Sequence, residues 1–449
     1  MSSRLDVSWS SAIQGGWPDE KGRLMATNGS TFTLTHLTAL EILDSRGNPT
    51  LQVDLGLDSG ATGRAGVPSG ASTGSREAVE LRDGDLSRYG GKGVTGAVGH
   101  VNGELSELLR SRAWSSLAEV DQAMIEADGT ATKARLGANA IVGVSMALAR
   151  ALSVGGELFT YLTPDGVAPR LPVPHFNVLN GGAHAPNSLD FQEFMIAPIG
   201  APSLPEAVRA GAAVYATLRG LLQAAGFATG LGDEGGFAPN ITRPEDVLAL
   251  LVQAIEGAGY TPGPTGVAIA LDPAASEFYR DGAYHVAGET LTSSDMIERY
   301  AAMVRDYPVW SIEDGLAEGD WGGWEALTAR LGGTTQIVGD DIFVTNPAII
   351  TEAISRHVGN SALIKLNQIG SVSETLEAMR LCREAGYTQM VSHRSGETSD
   401  SFIADLTVAT GCGQLKSGAP ARGERVAKYN RLLEIAAGYP LPFGLADRG

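Results

Sequence analysis

Three carboxylates each follow a short apolar run in the second half of the sequence: Asp272 after VAIAL, Glu313 after VWSI and Asp340 after QIVG. If these runs are neighbouring strands, the three side chains converge, and they cannot all stay ionised unless a cation neutralises them. Ligands that are all oxygen favour a hard ion, with Mg²⁺ first and Ca²⁺ or Mn²⁺ next. The pattern therefore predicts a divalent metal site.

Lysines and glutamates end other apolar runs. Lys365 ends ALIK and Lys416 ends GQLK, and a lysine beside a divalent cation is pushed toward its neutral form, which makes it a usable base. Glu193 ends FQE and Glu234 ends TGLGDE, so both can supply a carboxylic acid. Together these groups suit the removal of a proton next to a substrate carboxylate, because a bound metal stabilises the enolate that forms.

Anion binding is predicted at the segment MVSHRS, which contains His393 and ends in Arg394 and Ser395. The planar guanidinium of Arg394 offers a fork of donors that matches a phosphate group. His184 lies in the loop NGGAHAPN, where a solvated histidine is the ordinary expectation, and His175 is interpreted as structural.

Eight strands are needed to position these groups, and the sequence offers eight short apolar runs. From Glu313 onward they recur at intervals of roughly 25 residues, close to the length of one βα unit, with helical patterns between them. The pattern predicts an α/β fold whose C-terminal part is a (β/α)₈ barrel with the site at the C-terminal ends of its strands. The runs end at Glu193, Glu234, Asp272, Glu313, Asp340, Lys365, His393 and Lys416.

The first third of the chain predicts a different unit. Strand patterns between Thr33 and about Leu57 precede helical patterns at 97–109, 116–127 and 138–152, which indicates a small α+β domain over 33–160. Residues 1–32 are polar and aperiodic and are predicted to be a disordered extension. A Gly- and Pro-rich segment, 155–174, is typical of a linker, and the barrel domain is assigned to 161–449.

Composition excludes several classes of protein. The 449 residues carry a formal net charge of −18, which disfavours a partner such as nucleic acid or an anionic membrane. No apolar run reaches the ~20 residues that a membrane helix needs. The two cysteines, Cys382 and Cys412, cannot form a disulfide scaffold and are predicted to be buried thiols in a reducing, cytoplasmic setting.

Long strings of the sequence resemble the enolase family, from about Thr33 to about Ile435. They are EILDSRGNPT, VPSGASTGSREAVELRDGD, LGANAIVGVSMALA, NGGAHA, QEFMIAPIGA, GDEGGFAPN, LDPAASEFY, SIEDGLAEGDW, VGDDIFVTN, LIKLNQIGS, SHRSGETSD and KSGAPARGERVAKYN. The resemblance implies a small N-terminal domain followed by a barrel whose first elements depart from the regular βα order. It also implies the reversible dehydration of 2-phospho-D-glycerate to phosphoenolpyruvate, a step of glycolysis and gluconeogenesis.

The resemblance also implies a role for each site residue. Lys365 would remove the C2 proton, and Glu234 would assist loss of the C3 hydroxyl. Two Mg²⁺ ions would bind per active site, one held by Asp272, Glu313 and Asp340, and one by Ser72 of the loop 67–78, which would close over the substrate. The remaining substrate contacts would come from Gln192, Glu193, His184, His393, Arg394, Ser395 and Lys416.

A homodimer, or a higher oligomer, is a further implication of the family, as is a secondary cell-surface or secreted pool in bacterial relatives. Family dimers commonly use two Arg–Glu pairs across the interface. At those positions this sequence carries Leu40, Gln52, Glu434 and Ala437. Arg76 stands where some members carry His, so that position is assigned no catalytic role.

Two other functions remain as alternatives at this point. One is a related enzyme acting on a different carboxylic acid, although a substrate without phosphate would need neither the SGAST loop nor the SHRSGE residues. The other is a non-catalytic surface-binding protein, which loss of Lys365, Glu234 or a metal-binding carboxylate would have favoured. None of these residues is lost.

Overall fold

A computed structural model describes residues 31–70 and 73–446. The predicted extension lies outside these residues up to position 30, and Ser72 and residues 447–449 lie outside them as well. Phe32, at the end of the predicted extension, is buried, and its backbone exchanges hydrogen bonds of 2.9 and 2.8 Å with that of Trp114.

The N-terminal unit is a three-stranded antiparallel sheet covered by helices. Its strands are Leu34–Leu43, Pro49–Leu57 and Thr62–Gly66. Alternation in the second strand buries Leu51, Val53 and Leu55, as a half-buried strand requires. The helical segments are Thr95–His100, Val101–Leu105, Ser106–Arg110, Leu117–Asp128, Ala138–Leu152 and Leu158–Leu162, with a 3₁₀ turn at Tyr89–Gly91.

Helix Ala138–Leu152 has the bounds that the sequence predicts, and it packs between the sheet and the barrel. Small residues allow this close packing, because a Cβ at Gly143 would lie 2.7 Å from Val53 Cγ2. On its other side, the Ser145 hydroxyl accepts a hydrogen bond of 3.0 Å from the backbone of Val372 in the barrel. The N-terminal unit is therefore joined to the barrel through buried contacts.

Eight strands close into a barrel, as predicted. All neighbours are parallel except Glu193–Ala197, which is antiparallel to both of its neighbours, so the first elements depart from the regular βα order. The strands are Val173–Asn180, Glu193–Ala197, Ala268–Asp272, Val309–Glu313, Gln336–Gly339, Ser361–Ile364, Thr388–Ser392 and Gln414–Lys416. The helices around it are Leu204–Ala224, Pro244–Gly257, Ser293–Asp306, Trp321–Leu331, Pro347–Ser355, Leu366–Ile369, Val372–Glu384, Phe402–Thr410 and Gly423–Gly438.

Smaller elements lie in the connections of the barrel. They are two 3₁₀ turns, Gly182–His184 and Ala275–Phe278, and a small antiparallel sheet of Tyr279–Arg280, Ala283–Val286 and Glu289–Leu291.

Two of the eight predicted strand ends are wrong. Glu193 begins its strand instead of ending it, and it reaches the same barrel mouth because an antiparallel strand starts where its parallel neighbours finish. Glu234 ends no barrel strand but lies in a loop between helices Leu204–Ala224 and Pro244–Gly257. The barrel strand that the sequence pattern did not predict is Val173–Asn180, and its first residues fall in the segment interpreted as a linker.

The predicted linker 155–174 also contains helix Leu158–Leu162, so the predicted domain division at 160/161 falls inside a helix. That division stays a prediction. Both cysteines are free and buried, as expected. Across 31–70 and 73–446, no helix is long and apolar enough to cross a membrane.

Candidate active site

Four charged side chains meet at the C-terminal ends of parallel barrel strands. Asp272, Glu313 and Lys416 are the last residues of their strands, and Asp340 directly follows Gln336–Gly339. All four are buried, none being more than 6% exposed. The strand-end pattern in the sequence therefore predicted their convergence correctly.

Lys416 lies among the carboxylates. Its Nζ is 2.6 Å from Glu313 Oε1, 3.2 Å from Asp272 Oδ2 and 3.4 Å from Glu193 Oε2. Burial lowers the pKa of Lys416, but the three carboxylates outweigh burial and raise it well above its usual value. The lysine is therefore charged at neutral pH and offsets part of the negative charge of the cluster.

The donor set at this end of the barrel fits a hard divalent cation. Asp272, Glu313 and Asp340 come from three strands and offer only oxygen, the ligand that Mg²⁺ prefers. Glu313 Oε2 is buried and has no hydrogen-bond partner. A buried acceptor without a partner carries a desolvation cost that a bound cation would remove.

Lys365 and Asp340 form a close pair, with 2.5 Å between Nζ and Oδ2. Burial lowers the pKa of Lys365, but Asp340 outweighs burial and raises it. This direction is opposite to the lowering that the sequence predicts for a lysine beside a cation, because the ionised Asp340 stabilises the ammonium form.

Glu234 lies in the same site beside two histidines. Its Oε2 is 3.1 Å from His393 Nε2 and accepts a hydrogen bond of 2.9 Å from Asn177. His184 Nδ1 is 3.7 Å from both Glu193 Oε1 and Glu234 Oε1. Contrary to the expectation of a solvated histidine, His184 is only 5% exposed.

The position of Glu234 depends on a close backbone approach. A Cβ at Gly232 would lie 2.7 Å from the His184 carbonyl oxygen, so glycine allows the GDEGG loop to pack against the turn that carries His184. Burial, first, and the nearby Glu234 raise the pKa of Glu193 well above its usual range. Burial also raises the pKa of Glu234, but His393 and His184 outweigh burial and hold it well below its usual range, so Glu193 is the carboxyl of the two that favours its protonated form. Burial lowers the pKa of His393 to about 3, so this ring is neutral.

The predicted anion-binding residues are held by the N-terminal unit. Arg394 donates from Nη1 to Glu77 Oε2 at 2.9 Å and from Nη2 to Glu77 Oε1 at 3.2 Å. Ser395 Oγ accepts a hydrogen bond of 3.2 Å from Arg46 Nη1. Glu77 belongs to the loop 67–78, so this loop reaches the barrel mouth.

One small cavity collects all nine of the predicted catalytic and substrate-binding residues. A larger cavity of about 880 Å³ lies between helices Leu117–Asp128 and Val372–Glu384, and none of the predicted site residues lines it. We place the site in the small cavity, because it holds the buried charges. It is lined by His184, Gln192, Glu193, Glu234, Lys365, Ser392, His393, Arg394, Ser395 and Lys416.

Arg425 was not singled out by the sequence, yet it organises this cavity. Its Nη1 lies 2.5 Å from His393 Nδ1 and donates a hydrogen bond of 2.5 Å to the backbone carbonyl of Arg394. Its Nη2 donates to the backbone carbonyls of Ser395 and Asp233 at 2.5 and 3.1 Å. In sequence it is one of several basic residues in an amphipathic helix, and no local signal distinguishes it. Its partners become evident only in the folded chain.

Comparisons with known proteins agree with this geometry. A family model described as "Enolase, N-terminal domain" matches residues 34–162, and one described as "Enolase, C-terminal TIM barrel domain" matches residues 168–439. A curated protein named Enolase from Rubrobacter xylanophilus is 57% identical over 410 residues, which cover 89% of this chain and 95% of that protein.

Proposed function

Because the chain belongs to the enolase family, we propose that it is a phosphopyruvate hydratase, a lyase that converts 2-phospho-D-glycerate reversibly to phosphoenolpyruvate and water. The observation that carries this proposal is the shared cavity of Lys365, Glu234 and Arg394. A base, an acid and an anion-binding group are the parts that the elimination needs. In glycolysis and gluconeogenesis the reaction runs in opposite directions.

Lys365 is the proposed base and Glu234 the proposed acid. Lys365 takes the C2 proton, and the electrons of the C–H bond move toward the substrate carboxylate. The enolate then expels the C3 hydroxyl, which receives a proton from Glu234 and leaves as water. The pKa of Glu234 itself is held below its usual range, so the proton that it delivers is proposed to come from the neighbouring Glu193, whose pKa is raised.

Asp272, Glu313 and Asp340 are proposed to hold Mg²⁺, and Ser72 a second Mg²⁺. The ions would stabilise the negative charge that develops on the substrate carboxylate. With a cation on its carboxylate, Asp340 would stabilise the ammonium form of Lys365 less strongly, which would lower the pKa of Lys365 toward that of a usable base.

The other cavity residues are proposed to bind substrate. Arg394 and Ser395 suit the phosphate, and Lys416 suits the carboxylate side. The Gln192 side chain is buried and its Oε1 has no hydrogen-bond partner, so it can accept a hydrogen bond from a substrate hydroxyl. His184, Glu193 and His393 complete the set.

This geometry favours catalysis over a purely surface-binding role. The charged groups Asp272, Glu313, Asp340 and Lys416 are buried in one place, with the part-buried Lys365 beside them. Burying charged groups costs stability, and a bound ligand that pairs with them would offset this cost. Surface binding needs no such cluster inside the barrel mouth.

Turnover is expected to require a divalent cation. The substrate's phosphate and carboxylate bring negative charge to Asp272, Glu313 and Asp340, and this repulsion is prohibitive without a cation even at an effective dielectric constant of about 20. Ultraviolet absorbance of phosphoenolpyruvate, followed with 2-phosphoglycerate and Mg²⁺, should rise, stop on addition of EDTA and resume with excess Mg²⁺. Full turnover in excess EDTA would rule out this mechanism.

A homodimer that depends little on salt is also expected. Leu40 lies opposite Gln52 in the N-terminal sheet and is 48% exposed, while Glu434 already pairs with Arg431 at 3.5 Å within the chain. Replacing an interfacial ion pair by apolar or neutral contacts is often close to neutral in free energy. Contacts of this kind are weakly screened by salt.

Sedimentation at low and high ionic strength measures this directly. The dimer should persist in both conditions. A monomer at micromolar concentration, or dissociation on adding salt, would contradict the expectation. From the family alone we further propose a cytoplasmic location.

A further inference from the structure

Gln368 lies between the proposed metal ligands and the loop 67–78. It is 1% exposed and belongs to the short helix Leu366–Ile369 that follows Lys365. Its Nε2 donates to Asp340 Oδ1 at 2.8 Å and to Glu77 Oε1 at 3.2 Å. One neutral amide thus contacts two carboxylates that belong to different parts of the molecule.

The orientation of this amide is determined by its partners. Ionised carboxylates only accept hydrogen bonds, so the NH₂ group of Gln368 must face Asp340 and Glu77. On the other side, Gln368 Oε1 accepts a hydrogen bond of 2.8 Å from the Thr345 hydroxyl. That hydroxyl in turn accepts one of 2.9 Å from the backbone N–H of Lys365. The network therefore extends from the proposed base to both carboxylates.

The backbone that presents Thr345 is strained. Thr345 has φ = 53° and Val344 has φ = 44°, in the left-handed region that β-branched residues avoid. A residue in this conformation is destabilising and persists only where surrounding contacts hold it. The hydrogen bonds of Thr345 to Lys365 and Gln368 are contacts of this kind.

Both oxygens of Asp340 are restrained by this arrangement. Oδ2 pairs with Lys365 at 2.5 Å, and Oδ1 accepts from Gln368. On the far side, Glu77 accepts from Gln368 and binds the guanidinium of Arg394 through both of its oxygens. Gln368 is thus the link between a proposed metal ligand and the group that holds the proposed phosphate-binding arginine.

We propose that Gln368 is a positioning residue that orients Asp340 for the metal ion and couples this orientation to the docking of residues 73–78 through Glu77. The part that concerns the metal rests on the proposed function. Hydrogen-bond donors to metal-binding carboxylates orient the ligand, and their loss typically weakens metal affinity by about 10–100-fold. A neutral donor is also needed because Asp340 and Glu77 would otherwise face each other as like charges.

Gln368→Met tests the proposal, since methionine has a similar volume and cannot donate a hydrogen bond. Mg²⁺ alone, titrated into metal-stripped protein by calorimetry, should bind roughly tenfold more weakly than to the unmodified chain. Amide hydrogen exchange of residues 73–80, measured without metal or substrate, should become faster. The acceptor Glu77 loses a partner in this variant, so the loop is held less firmly.

Gln414→Met is the matched control. Gln414 and Gln336 exchange two buried hydrogen bonds of 2.9 Å at the opposite end of the barrel. The same substitution there removes a buried amide of the same size, so it should lower the melting temperature while leaving Mg²⁺ affinity and loop exchange unchanged. If the effects came from a general loss of barrel stability, Mg²⁺ affinity and loop exchange would change to the same degree in both variants.

Gln368→Glu serves as a second variant if the methionine variant does not fold. The carboxylate keeps the shape of the side chain but cannot donate when ionised, so exchange of 73–80 should again become faster. Unchanged loop exchange in the folded variants, together with Mg²⁺ affinity within twofold of the unmodified chain, would overturn the proposal. If the unmodified chain neither binds Mg²⁺ nor turns over 2-phosphoglycerate, the proposed function fails instead, and loop exchange still decides whether Gln368 holds Glu77.

Discussion

Lys365→Ala is expected to lower turnover of 2-phosphoglycerate by about 10⁴-fold, the upper end of what a positioned general base contributes. Exchange of the C2 proton with solvent should stop as well, because Lys365, which lines the same cavity as Glu234, is the proposed base. Incubation of 2-phosphoglycerate in deuterated water, followed by proton NMR at C2, measures this step directly.

A suitable control removes another buried lysine that pairs with a carboxylate. Lys133 lies 3.0 Å from Glu374, and its side chain is 4% exposed. Lys133→Ala removes a comparable charge outside the cavity, so it should cost stability and leave C2 exchange intact. Continued C2 exchange in Lys365→Ala would show that the base has been assigned to the wrong residue.

Glu234→Gln is expected to separate the two halves of the reaction. The amide keeps the size of the side chain but cannot deliver the proton that the departing C3 hydroxyl needs, so formation of phosphoenolpyruvate should fall by about 10²–10⁴-fold. C2 exchange should continue, because the proposed base, Lys365, would act before the hydroxyl leaves. Comparing the NMR exchange rate with ultraviolet absorbance on the same sample measures both steps.

Glu374→Gln provides the corresponding control outside the cavity, because it makes the same change in the carboxylate that pairs with Lys133. Both C2 exchange and dehydration should be retained. If Glu234→Gln instead loses C2 exchange to the same degree as dehydration, Glu234 acts in the first step, and the proposed division of roles is wrong.

Several site residues could be located from the sequence because the signal that places them is local. Asp272, Glu313 and Lys416 end short apolar strands, and the C-terminal ends of parallel strands lie at one barrel mouth. Strand length and the change from apolar to polar residues can be read from a few neighbouring positions. The barrel and the convergence of these groups follow from that pattern.

The direction of the early strands could not be read in the same way. Glu193 pairs with Asp272, nearly 80 residues further along the chain, and this antiparallel pairing makes it the first residue of its strand. An apolar run looks the same whichever way the strand points. His184 likewise looks like a loop residue, yet it is buried, and the glycine-rich segment around Glu234 packs closely against its backbone.

The sequence by itself determined the helix and strand periodicities, the barrel and the identities of the groups proposed to react, since each depends on residues close together in the chain. Only the tertiary structure decided which side chains meet. Gln368 contacts Glu77 across 291 positions, and Arg425 contacts the backbone of Asp233 across 192. Such pairs leave no periodic signal in the sequence. Their contact arises because the barrel closes and the N-terminal unit packs against it, and both events place distant loops within hydrogen-bond distance.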